Sequence, residues 1–244
     1  MPTFIHGKGT KTYLDEFDLS DYFNAADSTF SVETADITAF GASSRSFLPG
    51  LQTATMGLTG LWSADTDGSD EELNALLANA TSPLSTVAIQ AGTIGNKAIL
   101  MQSDELTYNI SSPVSDVVSV SADFQATTDG TTNLTYSGQS GVQLTTGASI
   151  AFGALGNLSS VDNAASSANG GFGILHVPTN SVGGGVTTIK VQHSADITFS
   201  TVAASTKTSE LKAVSGTVNR YIRATASTAG SSGAITFMLS FARF

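Results

Sequence analysis

The sequence predicts a mainly β protein with one α-helix, and three features carry that prediction. Charged residues make up only 12% of the 244, about half of the ~25% usual in soluble domains. Ser, Thr and Gly take their place, a mixture suited to strands joined by polar turns. Several runs alternate apolar and polar residues with a period of two, and a single stretch carries apolar residues at helical spacing. With 41% hydrophobic residues the chain can bury one large core or two modest ones. The expected architecture is a mainly β unit with one helix, followed by a second all-β unit whose regularly spaced strands read as a sandwich.

In chain order, Phe4, Ile5 and residues 10–14 suggest a short hairpin around Gly7-Lys8-Gly9, and 18–23 a turn or a single helical turn. Residues 29–40 mix β-branched and polar side chains and read as a strand. Gly41 and Pro49-Gly50 mark 39–51 as a long excursion rather than a tight hairpin. In the strand that follows, Ala54, Met56, Leu58, Gly60 and Trp62 fall on one face, with Thr53, Thr55, Gly57 and Thr59 on the other, which predicts one buried side. Ser69-Asp-Glu-Glu matches a capping box, with Ser69 bonding the third helical amide and Glu72 reaching back. Leu73, Leu76, Leu77 and Ala80 continue at helical spacing until Pro83 bars the way. Further strands are expected at 84–91, 97–102, 105–110 and 114–125. In the last, Val114, Val118, Val120, Ala122 and Phe124 share a face that Asp116 interrupts.

A turn-rich joint at 126–132 divides the chain into 1–128 and 129–244. In the second part, strands are expected at 142–146, 171–177, 187–193, 197–203, 209–214, 220–226 and 234–244, with a surface loop at 156–171. Ile235, Phe237, Leu239 and Phe241 line one face of the last strand and tie the C-terminus into a sheet. Charge divides the same way: residues 1–130 hold 17 Asp and Glu against 4 Lys and Arg, and residues 131–244 hold 3 against 6. A nucleic-acid binder would need a dense basic face, which this distribution argues against.

The residues for most site chemistry are missing. Without cysteine there is no disulfide framework, thiolate zinc site or Cys nucleophile. His6, His176 and His193 each lack a second metal ligand at helical or hairpin spacing. Gly138-Gln-Ser-Gly falls short of a nucleophile elbow, and Gly92-Thr-Ile-Gly-Asn-Lys is too short for a phosphate loop. Asp65-Thr-Asp-Gly-Ser-Asp-Glu71 is anionic but fails the calcium-loop spacing, and reads as a solvated turn running into a helix N-terminus. No catalytic, cofactor-binding or metal residue is expected, and no cofactor. The N-terminus lacks the pattern of a signal peptide and no run reaches the ~18 apolar residues of a membrane span, so a soluble protein made in a cytoplasm is expected.

Two segments carry a family resemblance. Asp36-Ile-Thr-Ala-Phe-Gly-Ala-Ser-Ser-Arg-Ser-Phe-Leu-Pro-Gly-Leu, followed by Gly57-Leu-Thr-Gly-Leu-Trp, resembles the corresponding segment of the tail tube (major tail) proteins of long non-contractile, siphovirus-like phage tails, and covers the chain over roughly 1–126. Val191-Gln-His-Ser-Ala-Asp, Val218-Asn-Arg-Tyr-Ile-Arg-Ala and Phe241-Ala-Arg are similar to the downstream half of two-part members. The resemblance implies a tail-tube-type sandwich with one helix, whose strands join those of neighbours into rings with a continuous inner barrel, usually of six copies. It implies a structural, non-enzymatic subunit of the virion tail, assembled in the host cytoplasm. Its partners would be its own copies, tape-measure and tail terminator or tip proteins, and double-stranded DNA in transit.

A loop reaching the next ring would map to Phe40, Arg45, Phe47, Leu48, Pro49, Gly50 and Leu51. The inner barrel would draw on strands near 27–38, 53–62 or 114–125. Asp27, Glu33, Asp36, Asp116 and Asp123 are the candidate acids of an inner wall, and 129–244 would decorate the exterior. A second reading stays open: a surface or capsid decoration protein with a carbohydrate-binding sandwich, since composition suits either purpose.

Overall fold

The computed structural model describes residues 4–77, 82–127, 138–193, 196–199, 202–203 and 205–244. Sixteen strands and one α-helix follow one another as β1 (Lys11–Leu14), β2 (Phe17–Asp18), β3 (Phe23–Asp36), β4 (Phe47–Leu61), α1 (Ser69–Leu77), β5 (Leu84–Ala88), β6 (Lys97–Ser111), β7 (Ser119–Ala126), β8 (Gly138–Gln143), β9 (Ser149–Ala151), β10 (Val161–Asp162), β11 (Gly171–Asn180), β12 (Thr187–Gln192), β13 (Asp196–Thr198), β14 (Thr208–Val214), β15 (Tyr221–Thr228) and β16 (Ala234–Arg243). The expected mainly β class with one helix is the observed one. Ala80 of the expected helix, most of the joint at 126–132 and part of the expected strand at 197–203 lie outside the described residues.

The main sheet runs β14-β11-β16-β8-β6-β5-β1-β2, and a smaller sheet runs β10-β15-β12-β13. All the strand pairings are antiparallel. The main sheet curls until β11 and β14, at one end, touch β5 and β2 near the other. His176 on β11 seals that meeting. It is fully buried, its Nδ1 donates to the Asp15 carbonyl and its Nε2 accepts from the Thr86 hydroxyl, at 2.5 and 2.7 Å. Burial holds its imidazole down at about 4, so it stays neutral.

β16 is buried on both faces. Ile235, Phe237, Leu239 and Phe241 pack with Ile189, Val191, Ile222 and Ala224 of the smaller sheet. On the opposite face, Ala242 joins a cluster with Leu84, Ala98, Leu100, Phe172 and Ile174, and Met238 packs with Tyr13 and Ala88. Residues from both sides of position 128 therefore share two clusters and one hydrogen-bonded sheet. The link is β8, which pairs with β6 along Lys97–Met101 and with β16 at Val142 and Gln143. It can approach β16 so closely because position 141 is glycine: a Cβ there would lie 2.3 Å from the Phe241 carbonyl oxygen.

Three local expectations are corrected. Residues 97–102 and 105–110 are one continuous strand, because β7 pairs with β6 across Ser103 and Asp104. β7 starts at Ser119 rather than Val114, leaving Asp116 in the turn that joins β6 to β7. The capping box is not formed as read: the Ser69 hydroxyl donates to the Leu61 carbonyl and accepts from the Ser63 amide, while Glu71 takes the Asp67 amide.

Candidate functional site

From β6 the chain builds a branch of four strands in the order β3-β4-β7-β6. The period-two pattern gives it two unlike faces. Ala54, Met56, Leu58, Val120, Ala122 and Phe124 are buried together with Leu73 of α1. The opposite face can be read from the register, since directly paired residues lie on one side of a sheet. Three rows cross all four strands: Ala25, Thr59, Ser121, Asn109; then Asp27, Gly57, Asp123, Thr107; then Thr29, Thr55, Gln125, Asp104. These residues are small or polar, and the charged ones are all acids: Asp27, Asp104 and Asp123. Within the middle row the Thr107 hydroxyl donates to Asp123 at 2.8 Å.

The structure thus brings two of the five candidate wall acids, Asp27 and Asp123, into one row with only Gly57 between them. The other three lie elsewhere. Glu33 sits at the irregularity between Val32 and Thr34, against Gly50. Asp36 ends β3 and accepts from the Thr38 amide at 2.9 Å, and the Thr38 hydroxyl and amide hold its carboxyl below the usual range. Asp116 occupies the β6–β7 turn. Asp104 belongs with the acids of the face; reading a break at Ser103-Asp104 hid it, because a strand's face can be counted only along an unbroken run.

Both outer strands of this branch are open. Among the described residues β3 pairs only with β4, and beyond Gln102 β6 pairs only with β7. Unpaired strand edges are templates for further strands. β3 and β4 also run past the body as a long hairpin, with register continuing to Asp36 and Phe47. Residues 47–52, expected in a loop, are thus strand, and the tip is 37–46. Pro49 is tolerated because β4 lacks its β7 neighbour before Thr55. Phe40 and Arg45 lie in the tip, and Phe47, Leu48, Pro49, Gly50 and Leu51 lie on the adjoining strand, all exposed. Ile37, Phe40, Phe47, Leu48 and Leu51 give this hairpin a run of exposed apolar side chains, the kind of surface that marks an interface.

Two carboxyls beside the branch are perturbed. Glu105, on the buried face of β6, is pushed up to about 8 by burial, and neither of its carboxylate oxygens has a partner. Glu72 on α1 is raised to about 7, first by burial and then by Asp67, Glu71 and Glu16. Among the described residues no cluster of three or more His, Asp or Glu could hold a metal ion. No helix among the described residues is long and apolar enough to cross a membrane.

No protein-family model matches the chain, and no curated protein matches its sequence. Among solved structures it is similar to a chain of the virion of a native gene transfer agent particle, at 18% identity and a TM-score of 0.43 over 51% of this chain and 95% of that one. It is also similar to a chain of the tail of an empty gene transfer agent particle with C6 symmetry, at 14% identity and a TM-score of 0.42 over 51% and 96%. The Dit (gp 19.1) protein of phage SPP1, described as a hub adsorption apparatus, aligns over 96% of this chain and 99% of its own at 13% identity and a TM-score of 0.37. These are partial likenesses of fold.

Proposed function

We propose that the chain is a non-enzymatic structural subunit that self-assembles, side by side, into stacked rings forming the tube of a phage-type tail, an acidic-walled conduit for DNA. The observation that carries this reading is the four-stranded branch with both edges open, one face buried in the body and the other crossed by three rows of small or polar residues whose charges are all acidic. An edge such as β3 can extend the edge of residues 103–111 in a neighbouring copy. Because these are different surfaces, the contact is head to tail, and a fixed rotation between copies closes it into a ring. The sequence resemblance implies six copies.

The free face then turns inward, where Asp27, Asp104 and Asp123 repel a DNA backbone that a basic wall would hold through counterion release. Residues 129–244, with the smaller sheet, form the outer layer. Tape-measure and terminator or tip proteins would meet the tube's interior and ends, and the assembled particle places the chain in the virion.

Negative-stain microscopy of the purified protein tests this. Rings or tubes are expected, and a chain lacking 41–48 should still form rings but not stack them. Dispersed monomers that bind glycans would overturn the reading in favour of the decoration protein.

A further inference from the structure

The two ends of the open sheet differ in a complementary way. Along β4, the tip at 37–46 lies beyond Phe47, whereas the β6–β7 turn at 112–118 lies beside Leu61, where the Trp62 amide donates to the Val118 carbonyl at 3.1 Å. The length of β4, 15 residues, separates them by roughly 45 Å at ~3.3 Å per residue. Each end presents bare apolar side chains around one charge. The ten tip residues hold Ile37 and Phe40, the latter wholly exposed, and their single charge is Arg45. The seven turn residues hold Val114, also wholly exposed, and Val117, and their single charge is Asp116. Arg45 is moreover the one Lys or Arg between residues 12 and 96.

We infer that the β6–β7 turn of one copy is the seat for the β3–β4 hairpin tip of a second copy, with Phe40 and Ile37 covering Val114 and Val117 and with Arg45 paired to Asp116. The proposal rests on the tube reading and names the receiving surface between stacked rings. Three observations fix the occupant as a second copy. The surfaces lie at opposite ends of one sheet, so a head-to-tail stack brings them together without bending the chain. Both are apolar, and neither is covered by the chain's own described residues. Their lone charges are opposite, whereas a tip-to-tip contact would bring two Arg45 side chains together.

The absence of cysteine gives a clean test. Full-length protein carrying both F40C and V114C is allowed to assemble, oxidised and run on a non-reducing gel, beside each single-cysteine variant. The expected result is a ladder of covalent oligomers from the double variant alone, since a head-to-tail contact links one copy to the next without end. Dimers from F40C alone would mean that tips meet tips and would overturn the inference. So would tubes that are visible by microscopy and give no ladder, an outcome that leaves the tube reading intact. A protein that forms neither rings nor tubes overturns both.

Charge reversal supplies a second readout. R45D and D116R are each expected to abolish stacking while leaving single rings, and the double variant to restore it. Loss of stacking in the double variant equal to that in the singles would refute the pairing of these two charges.

Discussion

Replacing Glu105 by Gln should stabilise the protein at alkaline pH and leave it nearly unchanged in acid. Glu105 faces the core of β6 opposite Phe124, and its charge acts on Tyr108, whose hydroxyl donates to Asp70. Burial raises its carboxyl from 4.5 to about 8. Between these values the folded chain keeps a proton that the unfolded chain has released, so stability falls as pH rises through that window and reaches its floor above about 8. At about 1.4 kcal/mol for each tenfold change in the constant, the full shift corresponds to an upper limit of about 5 kcal/mol. Water and rotamer relaxation reach a group this near an open edge, so a gain of about 1–3 kcal/mol is the expected effect. Gln keeps the shape and cannot ionise. Urea midpoints of the two proteins, compared at steps between pH 4.5 and 9, should diverge progressively and level off above 8. Because Glu72 and His176 titrate in both proteins, the difference isolates Glu105. A constant difference across the range would refute the argument, since it would show that the carboxyl ionises as readily in the folded chain as in the unfolded one.

Two further outcomes follow from the same geometry. A chain ending at residue 128 would strip β8 from β6 and remove Phe172, Ile174, Met238 and Ala242 from Leu84, Ala98, Leu100 and Tyr13. It should aggregate or lose cooperative thermal unfolding; a sharp unfolding transition from that fragment would show that the halves fold separately. Gly57→Arg would set a base between Asp27 and Asp123, where an added Cβ comes only to 3.4 Å from Asp123 Oδ1. Assembled tubes of this variant should retain double-stranded DNA in a salt-sensitive manner while unaltered tubes do not, as read by co-sedimentation.

Much of the branch was legible in the sequence, because a half-buried strand writes its burial as alternation. Ala54, Met56 and Leu58 against Thr53, Thr55 and Gly57 reveal both faces of β4 before any pairing is known. The rest depends on partners distant in the chain. Ser103-Asp104 looks like a turn in isolation and is strand only because β7 lies beside it. Gly138-Gln-Ser-Gly looks like a turn too, yet its glycines permit β8 to lie between β6 and β16. In β16 one apolar face is evident, but Met238 and Ala242 on the other face are buried by β1, β5 and β11, and no local pattern records that. His176 offered no signal beyond its type. The open edges were likewise invisible, since an edge is defined by what fails to pair with it.

Those edges bear on how assembly should respond to salt. Chains that stay monomeric blunt their sheet edges with lysine, proline or bulges. β3 has a bulge near Val32 but no lysine, and its charges, Asp27, Glu33 and Asp36, are all acidic. Residues 103–111 also carry no base, and the acid they expose is Asp104. Joining β3 of one copy to β6 of the next therefore sets like charges near one another, within a chain whose net charge is −10. Backbone hydrogen bonds favour the union and are insensitive to ionic strength, whereas the repulsion that opposes it is screened over ~8 Å at physiological salt and over longer distances in dilute buffer. The encounter rate should consequently rise with added salt, the reverse of an interface steered by opposite charges. Light scattering of freshly purified protein across a salt series would read this directly: assembly should be slowest in dilute buffer and quicken as salt screens the acids. Faster assembly at low salt in a chain lacking 41–48, which has no Arg45 to pair with Asp116, would mean that opposite charges meet at the ring contact, and that β3 and residues 103–111 are not the edges that join.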